Sequence, residues 1–180
     1  MAVVELKTNT WLNGDGLLVQ FPPGTGANTR AGEFSNDGRH WTEAIIDLTD
    51  LATVASGNEQ IVGGHVTIPS GAFIEQVDVL VLTETAGTNA NLDVGLVDQD
   101  RSTELDFNGF LAAADIFNAG TDLGLLTSYV VGSTEAGALI GTKLTNTGLI
   151  TASADTADFT AGVVAVRIYW TMPLAADLAN

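Results

Sequence analysis

The segment 163–172 alternates Val164, Val166, Ile168, Trp170 and Met172 with Val163, Ala165, Arg167, Tyr169 and Thr171. A two-residue period puts each set on one face of an extended strand. So many β-branched and aromatic residues predict a strand central to a sheet, and Pro173 ends it. Residues 73–83 repeat the pattern, with Phe73, Glu75, Val77, Val79 and Val81 on one face and Ile74, Gln76, Asp78, Leu80 and Leu82 on the other. The second face turns apolar toward Leu82, which predicts passage from a half-wet to a covered region. Shorter runs at 42–48, 60–68, 92–97, 125–131, 139–144 and 148–152 read as further strands. Pro69-Ser-Gly71 marks a turn, and Asn146-Thr-Gly148 predicts a hairpin over 143–151. One stretch departs from this period: Phe110, Leu111, Ala114 and Phe117 recur at helical offsets beside three adjacent alanines, with Gly120 as a stop, which predicts a helix within 102–120.

Residues 1–40 are patterned differently. Gly14, Gly16, Gly24, Gly26, Gly32, Gly38 and Pro22-Pro23 surround a single apolar run, Leu17-Leu-Val-Gln-Phe21. Such punctuation predicts an extended N-terminal arm or loop segment with one short strand. Residues 41–180 then form the body. About eight or nine short strands with frequent turns and one short helix predict an all-β fold, a jelly-roll-like β-sandwich, because an α/β fold needs helices between its strands.

Composition narrows the function. At 180 residues the chain buries enough surface to form a core without staples, so its lack of cysteine costs little. Acids outnumber Lys and Arg by 22 to 6, for a net charge of −16. With the six cations scattered, this argues against a nucleic-acid partner and against anionic membranes. No run approaches the ~20 apolar residues of a membrane span, and the first residues lack the basic and apolar regions of a secretory signal. A soluble product made in a cytoplasm is the expectation.

Candidate chemistry is sparse. No nucleophile elbow, Walker loop or His-Glu-x-x-His motif occurs. His40, beside Trp41, reads as a stacked surface residue, and His65 as a packed or edge residue of a strand. Asp93, Asp98, Asp100, Glu104 and Asp106 gather carboxylates that a hard cation would want. The run departs from a calcium loop, however: Thr103 stands at the sixth position from Asp98, where glycine belongs, and no Glu stands at the twelfth. A solvated acidic loop is the plainer reading. Paired carboxylates for glycoside hydrolysis cannot be placed from sequence, and Trp11, Trp41 and Trp170 are widely spaced. The residues thus predict no catalytic, cofactor-binding or metal-binding site, no cofactor and no enzyme.

Asp15-Gly-Leu-Leu-Val-Gln-Phe21, Ala31-Gly-Glu-Phe-Ser-Asn-Asp-Gly38 and Thr42-Glu-Ala-Ile-Ile-Asp-Leu-Thr-Asp-Leu51 resemble the opening of small virion proteins of marine tailed phages. The resemblance continues through Ile68–Glu75, residues 93–109 and residues 159–170, so it spans most of the chain. It implies a capsid decoration (cement) protein on the outer surface of the phage head, made in the host cytoplasm. Its implied partners are the major capsid protein and further copies of itself, with a trimer favoured. An arm in such a protein would lie along neighbouring subunits, which makes Phe21, Phe34 and Trp41 the candidate capsid-interaction residues. A tail, collar or head-fibre component stays open, as does a carbohydrate-binding adhesion module.

Overall fold

The computed structural model describes residues 39–53, 59–62, 66–101, 103–116 and 123–172 with their side chains, and the backbone of 5–6, 10–12, 18–20 and 31–36. Thirteen strands lie among these residues: β1 (Glu5–Leu6), β2 (Thr10–Leu12), β3 (Leu18–Gln20), β4 (Ala31–Asn36), β5 (Arg39–Asp47), β6 (Gln60–Ile61), β7 (Thr67–Ile68), β8 (Phe73–Gly87), β9 (Asn91–Asp98), β10 (Glu104–Ala114), β11 (Leu126–Tyr129), β12 (Gly148–Asp155) and β13 (Phe159–Thr171). Two five-stranded antiparallel sheets carry the body. One has the order β11-β8-β13-β5-β4; the other runs β10-β9-β12-β6, with β7 also on β12. Strands β1, β2 and β3 form a small sheet of their own. The expected all-β sandwich is what the chain adopts. The segment before residue 41 holds more strand than the one expected there.

The two large sheets enclose one core. Ala44, Ile46, Val77, Val79, Val81, Val164, Val166 and Ile168 come from the first sheet, and Leu92, Val94, Leu96, Phe110, Ile150 and Ala152 from the second. Strand β13 is central as its composition predicts, flanked by β8 and β5. Its inner face ends at Trp170, whose indole Nε1–H donates to Thr42 Oγ1 at 3.1 Å. His40 stacks on Trp170 with ring centroids 4.3 Å apart, in line with the stacked role expected of it. His65 lies outside the described residues.

Four expectations fail for identifiable reasons. The helix within 102–120 is a strand over 104–114, and 117–120 lie outside the described residues. Its register against β9 shifts repeatedly: Asp106 faces Leu96 but Leu111 faces Val94, so five steps on β10 oppose two on β9. Such a bulge breaks the two-residue period and buries the adjacent Phe110 and Leu111 together with Ala114. That spacing mimics a helix. The extra backbone is hydrogen-bonded by the 135–139 segment, with Leu139 N donating to Gly109 O at 2.8 Å and Ala112 N to Glu135 O at 3.0 Å. A Cβ on Gly137 would sit 2.2 Å from the carbonyl carbon of Gly109, so glycine alone permits this approach.

The strand at 139–144 and the hairpin over 143–151 are likewise absent. Residues 139–142 form turns, Lys143 makes an isolated bridge to Phe73, and Gly141 takes φ +82°. The apolar run reflects the burial of Ile140 and Leu144 under the core, while its backbone bonds to residues 71–74. The faces of β8 also change phase. A register shift between Tyr169 and Trp170 sets Gln76 and Ile74 opposite them, so Ile74 is buried along with Val77, Val79 and Val81. Leu82 stays 40% exposed, on a face that the described residues do not cover.

Candidate functional site

The outer face of the β4–β5–β13–β8–β11 sheet, turned away from the core, gathers chemistry in rows. Residues directly opposite on neighbouring strands point to the same side. Register therefore lines up Trp41, Tyr169 and Gln76 across three strands, and the β4 backbone at Phe34 pairs opposite Trp41. The next row on that face is Gly32, Glu43, Arg167, Asp78 and Ser128, and the one beyond is Ile45, Ala165, Leu80 and Leu126. An aromatic row, a charged row and an apolar row follow one another along the strands.

The first two rows form one interacting unit. Trp41 and Tyr169 lie with centroids 6.3 Å apart and ring planes tilted by 39°. Arg39 stacks its guanidinium 4.5 Å from the Tyr169 ring centroid and bridges to Glu75 at 2.8 Å. Arg167 Nε donates to Glu43, and this bond to a half-buried carboxylate holds the guanidinium more firmly protonated than usual. The Tyr169 hydroxyl is pushed above its ordinary range by burial first, then by the neighbouring Asp78, to which it is hydrogen-bonded. Gln76 Nε2 donates to the same carboxylate. Trp41, Glu43, Arg167 and Tyr169 line an open cavity of about 320 Å³.

The polar groups of this face pair with one another, Glu43 with Arg167 and Asp78 with both Gln76 and Tyr169. Such a surface is suited to recognition: a rigid aromatic strip beside fixed charges of both signs. Among the three residues predicted from sequence, the fold brings Phe34 and Trp41 into one row at the level of backbone register, and Phe21 lies outside the described residues. Glu43, Arg167 and Tyr169 escaped the sequence reading. Their alternation along 42–48 and 163–172 already placed them on strand faces; what the sequence lacked was the pairing that sets β5 beside β13.

The acidic stretch after Asp93 disperses. Asp93 Oδ1 accepts the N–H of Ala113 at 2.6 Å, Asp106 accepts from the Asn108 backbone, and Asp98 lies at the far end of β9. Among the described residues no three acidic or histidine side chains converge on a point that could hold a metal ion. No helix among them is long and apolar enough to cross a membrane.

No family model and no curated protein matches the chain. Solved structures do. A chain of the cyanophage Pam1 capsid asymmetric unit aligns with 84% of this chain and 91% of its own, at a TM-score of 0.50 and 17% identity. A chain of the acidic stable capsid of Helicobacter pylori bacteriophage KHP30 aligns over 77% and 91%, at 0.48 and 15%. One from the capsid of Ralstonia phage GP4 aligns over 85% and 91%, at 0.43 and 16%. The chain thus shares its fold with a protein found in a phage capsid.

Proposed function

We propose that this chain is a phage virion structural protein that binds the outside of the head lattice as a decoration protein and stabilises it, without enzymatic activity. The observation that carries this reading is the fold shared with a chain of a phage capsid asymmetric unit over most of both lengths. The outer sheet face supplies the recognition surface, with Trp41, Tyr169 and the Glu43–Arg167 pair at its centre and Phe34 in the same row. The segment ahead of β4, residues 1–30, acts as an arm that extends the contact to neighbouring subunits, with Phe21 as an apolar anchor. Each contact is modest, and repetition over a lattice makes the sum stable. Major capsid protein and further copies of the chain are the partners. The test is co-sedimentation with purified heads that lack this protein. Saturable binding at many copies per head, lost on Trp41→Ala or Arg167→Glu in a chain of unchanged Tm, is the expected result. Few copies per particle would favour a tail, collar or head-fibre component.

A second reading, adhesion to glycans, is favoured by the open cavity between Trp41, Tyr169 and the charged pair, since a sugar ring stacks on an aromatic face while its hydroxyls bond charged groups. Oligosaccharide titration with measurable heat, abolished by Trp41→Ala, would move the assignment there.

A further inference from the structure

Each sheet has edges, and exposed strand edges invite pairing unless something blunts them. In the second sheet, β10 is bulged and backed by the 135–139 segment, while β6 and β7 are two residues each. In the first sheet, β4 lies beside β3. Strand β11 differs. It pairs with β8 in unbroken register and carries neither charge nor proline. Among the described residues no strand pairs with its other side.

The open side is defined atom by atom. Val81 N donates to Leu125 O, so the main-chain groups of Leu125 turn toward β8. Alternation then turns those of Thr127 and Tyr129 the same way and those of Leu126 and Ser128 outward. At the end of the strand, Val130 N is taken by Ser133 Oγ and Val130 O by Ser133 N. That leaves two outward donors and two outward acceptors in series, an array that is its own complement when reversed. Apolar side chains flank it: Leu123, Leu126 and Val131 are 62%, 54% and 70% exposed. Charge points to the same occupant. Two copies of a chain of net charge −16 repel each other over most of their surfaces, yet residues 123–134 contain no Asp, Glu, Lys or Arg.

We propose that β11 pairs antiparallel with β11 of a second copy about a two-fold axis, joining two five-stranded sheets into one of ten strands. A two-fold contact of this kind is isologous and gives a dimer, where the sequence resemblance implies a trimer. The inference stands whether or not the capsid reading holds, because it is measured on the protein alone.

Sedimentation of the full chain over a concentration series is the test. The expected species has twice the 18.6 kDa chain mass. Ser128→Pro removes one outward donor without touching the β8 ladder, and Leu126→Lys adds a charge to the edge; each raises the dimer dissociation constant at least ~10-fold. Hydrogen exchange supplies a second readout, with the Leu126 and Ser128 amides protected in concentrated solution and open on dilution. A trimer, a monomer at the highest soluble concentration, or a dimer that survives both variants would overturn the proposal. Protection of the two amides at every dilution would overturn it too, by showing that the chain covers its own edge.

Discussion

Asp93 shows how a single buried group couples the fold to pH. Burial holds its carboxyl above the ordinary carboxylate range, partly offset by the Ala113 N–H, with Asp155 and Glu59 adding repulsion. Protonation is therefore favoured in the folded chain, which binds more protons than the unfolded chain between the ordinary carboxylate pKa and the raised one. Stability is greatest below that window and falls as pH rises through it. Asp93→Asn keeps the oxygen that accepts from Ala113 and removes the charge. The expected result is a flatter dependence of the urea midpoint on pH and a midpoint at pH 7 no lower than that of the native chain. Asp106, raised chiefly by burial, leaves a residual slope of the same sign. At the other end of the core, Thr42→Val strands the buried Trp170 indole N–H, at a cost of about 1–3 kcal/mol in denaturant unfolding. A change near zero would mean that the indole finds another acceptor.

The bulged β10 is the element where local pattern and tertiary structure part. Its helix-like spacing comes from a break in register that buries Phe110 beside Leu111 and needs the 135–139 backbone as a partner. Two variants separate packing from geometry. Phe110→Ala empties a fully buried site and should lower stability by about 3–5 kcal/mol. Gly137→Ala removes nothing, yet drives a methyl group into the Gly109 backbone and should cost about 1–3 kcal/mol. Were 104–114 a regular strand clear of that segment, Gly137→Ala would be neutral. In β13, by contrast, composition and alternation sufficed over 163–171, because the residues added at its register shifts against β8 there belong to β8 and leave the two-residue period of β13 intact.

For the whole molecule, the decisive property is the surface it offers, and here residue and element combine. The outer-face rows exist only because β4, β5, β13, β8 and β11 pair in one register. A one-residue slip would send Arg167 and Tyr169 inward and Val166 and Ile168 out to solvent. Deleting residues 1–30 retains β4 and the five-stranded sheet. In head co-sedimentation this truncation should reduce saturation binding at least ~10-fold through lost multivalency, while the far-UV spectrum of the body remains that of a β protein. Undiminished binding would reject the arm and leave the sheet face as the sole contact.

Alternation of apolar residues along 42–48, 73–83 and 163–172, with glycine and proline between runs, was sufficient to specify an all-β chain with a central last strand. Those features are local, since period and turn chemistry belong to neighbouring residues. Composition likewise argued against phosphate backbones and offered little material for a reacting centre. Only the tertiary structure decided that 104–114 is a bulged strand, that 139–144 turns under the core, and that Trp41, Glu43, Arg167 and Tyr169 meet on one face. Each of these depends on partners far away in the chain: Glu43 and Arg167 stand 124 residues apart. Strand register, which no nearby residue encodes, is the physical quantity that joins them.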